Sequence, residues 1–323
     1  MAEAPIISII IPVFNRENFI QETLDSILKQ EFEAWECIIV DDGSTDSSWK
    51  IISDYATKDD RFSTYKRPEN IVKGANSCRN YGFDKATGEF IQWFDSDDVM
   101  LPKKLKMEYE AILIEGTDYC ISLARIADAQ LNPKELIKFE LDSEHTIFRN
   151  YALGSIEVIT QMVLWRNSFL TGKELFNPII KRGQETEFYS RMFFESNRFS
   201  LVQTESLLYR QHDATKTSKN ANQYIPAYRH SQSYISCQFY KLGERRSDSA
   251  IMKRYYKFLV HFLYEAATQR DKVTAQFILK KLHIEIIPLD SKRLRSLRFG
   301  AKVLSLTGRK NAYIQKTFFD YNL

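Results

Sequence analysis

Two short acidic runs carry the residues best suited to chemistry in this chain, Asp41-Asp42-Gly43-Ser44-Thr45-Asp46 and Asp95-Ser96-Asp97-Asp98. Each follows directly on a short apolar stretch, Cys37 to Val40 in the first case and Phe90 to Phe94 in the second. Two carboxylates one residue apart at the end of a strand can hold a divalent cation, one of them directly and the other through water or a bound ligand. Such a cation neutralises the charge that grows on a phosphate leaving group. The plainer reading of Asp95 and Asp97 is a solvated loop that caps a helix beginning near Pro102. Asp41 and Asp46 stand equally open to two readings, a capped turn or a ligand contact.

Both runs need a scaffold that brings strand ends together. In the first third of the chain β-branched runs alternate with helical periodicity, the pattern of βαβ units in a mostly parallel sheet. Ile6 to Val13 reads as the first strand, followed by a helix with Ile20, Leu24, Ile27 and Leu28 on one face. A helix carrying Trp49, Ile52 and Tyr55 comes after the first acidic run, and Phe62 to Lys66 reads as a third strand. Gly74 to Ala86 reads as a helix closed at Thr87-Gly88, with the glycine supplying a left-handed terminus. Ligands of open α/β sheets gather beyond the carboxyl ends of the strands, so both acidic runs fall where a ligand would lie.

Beyond about residue 115 the alternation becomes irregular, with a strand-like run at Val158 to Trp165 and a helix-like one at Thr186 to Glu195. After about Tyr224 the pattern is helical and aromatic. The expected organisation is an α/β domain over residues 1–220, split into a nucleotide-binding half (1–115) and a second half (116–220), with a helical extension over 221–323.

Composition excludes little but sets bounds. The 323 residues include 45 Lys plus Arg against 42 Asp plus Glu, and a net charge of +3 argues for no nucleic-acid partner. Cys37, Cys78, Cys120 and Cys237 are far apart, with no pairing or zinc-ligand spacing, which suits a reducing cytoplasm. No apolar run approaches the roughly 20 residues of a membrane span. The N-terminus carries Glu3 and no basic leader, so a cytoplasmic protein is expected. Near the other end, Lys292, Arg293, Arg295, Arg298, Lys302, Arg309 and Lys310 fall in a stretch with no acidic residue between Asp290 and Asp320. Leu294, Leu297, Ala301 and Leu304 recur there at helical spacing. That stripe suits either an anionic lipid surface on the inner face of the membrane or packing on the body.

Four segments taken together, Ile9-Ile10-Ile11-Pro12-Val13-Phe14-Asn15, Val40-Asp41-Asp42-Gly43-Ser44-Thr45-Asp46, Arg79-Asn80-Tyr81-Gly82 and Phe94-Asp95-Ser96-Asp97-Asp98, resemble family 2 glycosyltransferases in order and spacing. The match is strong over the first hundred residues and weaker to about residue 215. The resemblance implies a GT-A fold, a Rossmann-like and mostly parallel sheet flanked by helices. It also implies a nucleotide-sugar donor, Mn²⁺ or Mg²⁺, and inversion at the anomeric carbon. Transfer of a single hexosyl or N-acetylhexosaminyl group to a saccharide or lipid-linked saccharide, in surface polysaccharide or glycolipid synthesis, is the expected reaction.

Residue by residue, the resemblance makes Pro12, Phe14 and Asp42 the nucleobase pocket, with Asp42 accepting from the uracil imide and so favouring UDP-sugars. Asp41, Arg79 and Asp95 would meet the donor, and Asp95, Asp97 and His212 would hold the metal. Arg79 alone would read as a structural salt bridge, and His212 alone as an exposed loop residue. In Arg182-Gly183-Gln184-Glu185-Thr186-Glu187-Phe188, Glu185 aligns with the family's general base, usually an aspartate, and reaches one methylene further. Glu187 competes for that role, and a helix start that favours acidic residues is the plainer reading of both.

Two other activities compete with this reading. A sugar nucleotidyltransferase would show a glycine-rich basic loop after the first strand, where Pro12 to Arg16 stand instead. A non-catalytic nucleotide-sugar-binding module would not need the Asp95/Asp97 pair together with Glu185. The segment Gln161 to Arg166 lacks the QxxRW spacing of processive synthases.

Overall fold

The computed structural model describes residues 5–212, 223–284, 291–307, 315, 316 and 318. Arg309, Lys310 and residues 213–222 lie outside the described residues. In chain order the strands are β1 (Ile7–Val13), β2 (Trp35–Asp41), β3 (Phe62–Lys66), β4 (Phe90–Trp93), β5 (Val99–Met100), β6 (Tyr119–Ala127), β7 (Pro133–Leu136), β8 (Val163–Arg166) and β9 (Phe199–Arg210). The helices are α1 (Ile20–Leu28), α2 (Ser48–Lys58), α3 (Ala75–Phe83), α4 (Lys104–Glu115), α5 (Ile147–Leu153), α6 (Asn167–Leu170), α7 (Gln184–Glu195), α8 (Pro226–Arg245), α9 (Ser249–Thr268), α10 (Lys272–Ile284) and α11 (Ser291–Thr307). The chain forms two compact units. The first comprises residues 1–147, 155–178 and 195–219, and the second residues 148–154, 179–194 and 220–323.

Among the described residues the strands all belong to the first unit and form one sheet in the order β3-β2-β1-β4-β8-β6-β9-β5, with β7 added on β6. β3, β2, β1 and β4 run parallel, β8 is antiparallel to β4 and β6, and β9 is parallel to β6. β1, β2, β4 and β9 therefore all end at the same edge. β1 is buried at every position, as a strand covered on both faces must be.

Two glycines set the packing around these strands. A Cβ on Gly82 would stand 2.4 Å from Cγ2 of Ile10, so only glycine lets α3 lie this close to β1. Gly88 does not close the helix as the sequence suggested. α3 ends at Phe83, and a Cβ on Gly88 would stand 2.7 Å from the backbone nitrogen of Ser8, so this glycine serves the close approach of chain to chain before β4.

Two other expectations shift. Leu28 is exposed, leaving Ile20, Leu24 and Ile27 as the buried apolar face of α1. The strand expected at Val158 to Trp165 begins only at Val163, after a 3₁₀ turn at Thr160–Met162. Behind the sheet, Lys104 and Glu108 on α4 form a fully buried ion pair that Ser122 of β6 joins, and Ser122 in turn meets Ser206 of β9 at 2.5 Å. Burial pushes the Glu108 carboxyl up, against the pull of Lys104.

The second unit is helical. Its core is aromatic: Phe239 stacks on Tyr255 with ring centroids 4.4 Å apart, and Tyr151 meets Phe193 edge-on at 5.3 Å. α8 packs along α9, and α10 and α11 pack on α9 and on each other. Asp248 caps α9, accepting from the backbone of Ala250 and Ile251, both at 3.1 Å, and pairs with Arg149 at 2.7 Å. All four cysteines are buried and unpaired, and burial pushes the Cys78 thiol up to about 12. Among the described residues no helix is long and apolar enough to cross a membrane.

Candidate active site

Parallel strands deliver the turns at their carboxyl ends to one edge, and four strand ends supply this site. β1 leads into Phe14, Asn15 and Arg16. Phe14 is 40% exposed beside buried Pro12, and the Lys73 ammonium lies 4.2 Å over its ring. Asn15 takes a left-handed conformation (φ 51°) that lets its side-chain oxygen accept from the Thr45 backbone at 2.9 Å, while its own N–H donates to Ser44 at 3.0 Å. The turns after β1 and β2 are thereby tied together.

At the end of β2 the two aspartates are used differently. Asp41 Oδ2 accepts from the backbone of Gly43 and Ser44, both at 3.0 Å, which is the capped-turn role, yet its Oδ1 is buried with no hydrogen-bond partner. Asp42 Oδ1 pairs with Arg67 Nε at 2.5 Å, and Arg67 also donates to the carbonyls of Pro68 and Ile71. Asp46 spends both oxygens on backbone N–H groups, of Glu17 and Ser48. Burial pushes its carboxyl up, but the hydrogen bonds from Ser48 outweigh this and hold it below the usual range. Asp46 is thus a turn residue.

Past β4, every carboxylate has an owner. Asp95 Oδ1 accepts from Arg79 of α3 at 2.6 Å, while Arg79 Nε is buried with no partner. Asp97 Oδ2 meets Arg16 Nε at 3.1 Å and His212 Nε2 at 3.2 Å. Burial pushes Asp97 up, but the hydrogen bond from His212 and the charge of Arg16 hold it below the ordinary carboxylate range. The His212 ring packs on Phe19 at 4.2 Å, and its Nδ1 is buried without a partner among the described residues.

Asp98 goes the other way. Burial, together with the charges of Asp97 and Asp95, pushes its carboxyl well above the usual range and favours the neutral form. It contacts the Gln161 side chain and accepts from the Arg210 backbone at 2.8 Å, while Arg210 Nε donates to the Asp97 carbonyl at 2.8 Å. This network fastens the end of β9, and so His212, beside Asp97.

A carboxylate oxygen beside an imidazole nitrogen can ligate a divalent transition ion, the carboxylate being the better donor for Mn²⁺. Asp97 Oδ2 and His212 Nε2 stand together in this way, while the buried His212 Nδ1 faces elsewhere. Among the described residues, however, no three His, Cys, Asp or Glu side chains gather as a cation site, because Asp95 turns to Arg79.

The second unit holds the other acidic pair. Glu187, on the first turn of α7, is buried and clamped by Arg191 through two bonds of 2.9 Å. Glu185 is half-buried, and among the described residues its carboxylate has no hydrogen-bond or ion-pair partner. The first three candidate segments and the Asp95–Asp98 turn thus converge on one strand edge with His212, while Glu185 belongs to the other unit.

Sequence reasoning missed Arg16 and Arg67 as the cations that pair Asp97 and Asp42. Both come just after a strand at the same edge, which was the signal available. It also missed the anchoring of β9 by Asp98, Gln161 and Arg210, a pairing across more than sixty residues that leaves no local pattern.

The profile described as "Glycosyl transferase family 2" matches residues 8–171. The chain belongs to glycosyltransferase family 2. EpsH of Bacillus subtilis (strain 168), provisionally a glycosyltransferase, is 31% identical over 234 residues, covering 65% of this chain and 62% of EpsH. A Campylobacter jejuni enzyme named GalNAc(5)-diNAcBac-PP-undecaprenol beta-1,3-glucosyltransferase is 36% identical over 97 residues, 30% of this chain and 31% of its own. The chain spans less than two thirds of the length of each of these relatives. Among solved structures, S. aureus TarS residues 1–349 in complex with UDP-GlcNAc shares the fold, with a TM-score of 0.65 at 19% identity over 98% of this chain and 91% of that one. The GT-A expectation, a mostly parallel sheet flanked by helices with further helices after it, is thereby met.

Proposed function

We propose that this family 2 glycosyltransferase moves a single hexosyl or N-acetylhexosaminyl group, with inversion, from a UDP-sugar to a hydroxyl of a lipid-linked saccharide in surface polysaccharide or glycolipid synthesis. It would work in the cytoplasm at the inner face of the membrane. The observation that carries this reading is a set of buried, partnerless polar atoms at one strand edge: Asp41 Oδ1, Arg79 Nε and His212 Nδ1. Other buried polar atoms of the described residues also lack a partner, but these three flank the acidic turns after β2 and β4, and that placement supports a polar ligand there. The UDP-GlcNAc of the TarS complex and the undecaprenol diphosphate in the name of the Campylobacter relative support the choice of donor and acceptor.

In this reading Phe14 and Pro12 take the base and Asp42 accepts a hydrogen bond from the uracil imide N–H through the oxygen that Arg67 leaves free. Asp41 accepts a ribose hydroxyl, and Arg79 turns its unused Nε–H toward the diphosphate. Asp97 and His212 would hold Mn²⁺ or Mg²⁺, with Asp95 in support, and the cation would neutralise the leaving diphosphate. Glu185, whose carboxylate has no hydrogen-bond or ion-pair partner among the described residues, takes the proton of the acceptor hydroxyl as it attacks.

Calorimetry with UDP-, GDP- and dTDP-sugars in the presence of Mn²⁺ tests the donor, and transfer onto a lipid diphosphate saccharide tests the reaction. Tightest binding to a UDP-sugar with turnover is expected. A preference for another nucleotide overturns the donor, and tight UDP-sugar binding without turnover favours a binding module.

A further inference from the structure

The apolar stripe near the C-terminus is not what a partner would see. Leu294, Leu297, Ala301 and Leu304 of α11 are all buried, on the side where α9 and α10 pack. The opposite face of the same helix is the unusual one. At 100° per residue, Phe299 and Leu306 lie about half a turn from Leu297 and Leu304. They are 66% and 70% exposed, with the exposed cations Arg298 and Lys302 beside and between them. The neighbouring α10 continues the pattern with exposed Val273 and Ile284 and exposed Lys272 and Lys280. Neither α10 nor α11 contains an Asp or a Glu.

We propose that the outer face of α11 docks on an anionic lipid surface, inserting Phe299 and Leu306 between headgroups while Arg298 and Lys302 meet lipid phosphates. The argument is charge complementarity joined to apolar exposure. Single exposed apolar residues are common on protein surfaces, but a face that binds soluble anions needs only the cations, and here two large apolar side chains share one helix face with them. A preformed helix with apolar tips about 10 Å apart among cations matches the boundary between headgroups and acyl chains. Each cation near such a surface strengthens binding about fivefold, and the attraction fades with salt. This inference is independent of the sugar-transfer reading, because vesicle binding needs no substrate.

The full chain is sedimented with vesicles of phosphatidylcholine alone and of phosphatidylcholine mixed with phosphatidylglycerol. Recovery on the anionic vesicles only, lost at high salt, is expected. R298E/K302E should weaken binding at least about 25-fold, and F299S/L306S should abolish stable recovery, while both variants keep the native melting transition. In parallel, F299W in the otherwise native chain should gain blue-shifted emission on anionic vesicles, a readout that stands even if a double variant fails to fold. Equal recovery on both vesicle types, unchanged binding by both double variants, or no shift from F299W overturns the proposal. Self-association without vesicles that F299S/L306S abolishes overturns it too, in favour of a second copy as the occupant.

Discussion

The end of β4 and the start of α7 present the same acidic spacing, Asp95/Asp97 and Glu185/Glu187, and resolve it in opposite ways. On the turn after β4 both carboxylates stay at the strand edge, and each is neutralised by an arginine from elsewhere in the first unit, Arg79 or Arg16. On α7 two residues of helix turn the side chains nearly opposite ways. Glu187 goes inward to Arg191, and Glu185 keeps a carboxylate without a partner among the described residues. Backbone geometry, not spacing, decides which acid is free. A carboxylate fixed to a cation is suited to hold charge in place, and an unpaired one is suited to carry a proton.

The most severe way to break this comparison is Glu185→Gln. If the unpaired acid is the base, the kcat for transfer should fall about 10²- to 10⁴-fold while the donor dissociation constant, measured by calorimetry, stays within a factor of two or so. A variant that remains active places the base elsewhere. Asp97→Asn comes next, with an expected loss of about 10²- to 10³-fold in kcat/KM from weaker stabilisation of the leaving diphosphate. Unlike Glu185→Gln it should also weaken Mn²⁺-dependent nucleotide binding. Wild-type turnover in that variant, or indifference of the native enzyme to EDTA, removes Asp97 from the metal site.

Glu187→Gln sharpens the other half of the contrast. Removing the charge that Arg191 grips with both bonds should cost about 2 kcal/mol of stability, discounted because Arg191 keeps some solvent. Turnover at low temperature should change little. Thermal melting read beside activity separates the two, and an inactive but fully stable Glu187→Gln would exchange the roles of the two glutamates.

Much of the first hundred residues was legible because strand, turn and helix there obey local rules. Ile9 to Val13 and Cys37 to Val40 are apolar runs bounded by turn residues, and a parallel sheet brings the turns after them to one edge. Phe62–Lys66 appears as a strand with the expected bounds. Gly88 misled because a glycine after a helix ordinarily closes it, whereas here it makes room for the backbone of Ser8. The tail was legible in one of its two readings: the stripe of Leu294, Leu297, Ala301 and Leu304 packs on the body, and the face left outside, with Phe299 and Leu306, carried no periodic signal of its own. The ownership of each carboxylate was hidden for another reason. Arg16 to Asp97 spans 81 residues and Arg210 to Asp98 spans 112, and one sequence records no such pairing.

Asp248 supplies the smallest test, a carboxylate whose work is wholly structural. It caps α9 with one oxygen and pairs with Arg149 through the other, so Asp248→Ala should cost about 1 kcal/mol at neutral pH and leave turnover untouched. Asp248→Asn, which keeps a good cap and loses only the ion pair, should cost less. Burial pushes the Asp248 carboxyl up, but the hydrogen bond from Ile251 and the pairing with Arg149 outweigh it and hold it below its ordinary value of 3.8. A carboxyl depressed by folding contributes fully above its unfolded pKa and loses that contribution as pH falls through the folded one. The stability gap between native protein and Asp248→Ala, tracked by denaturant titration, should therefore be constant above about pH 5 and narrow as pH drops below 3.8. A gap that stays open in acid would show that the cap works in its protonated form, and that the charge on Asp248, unlike the charges at the β4 edge, does nothing for the fold.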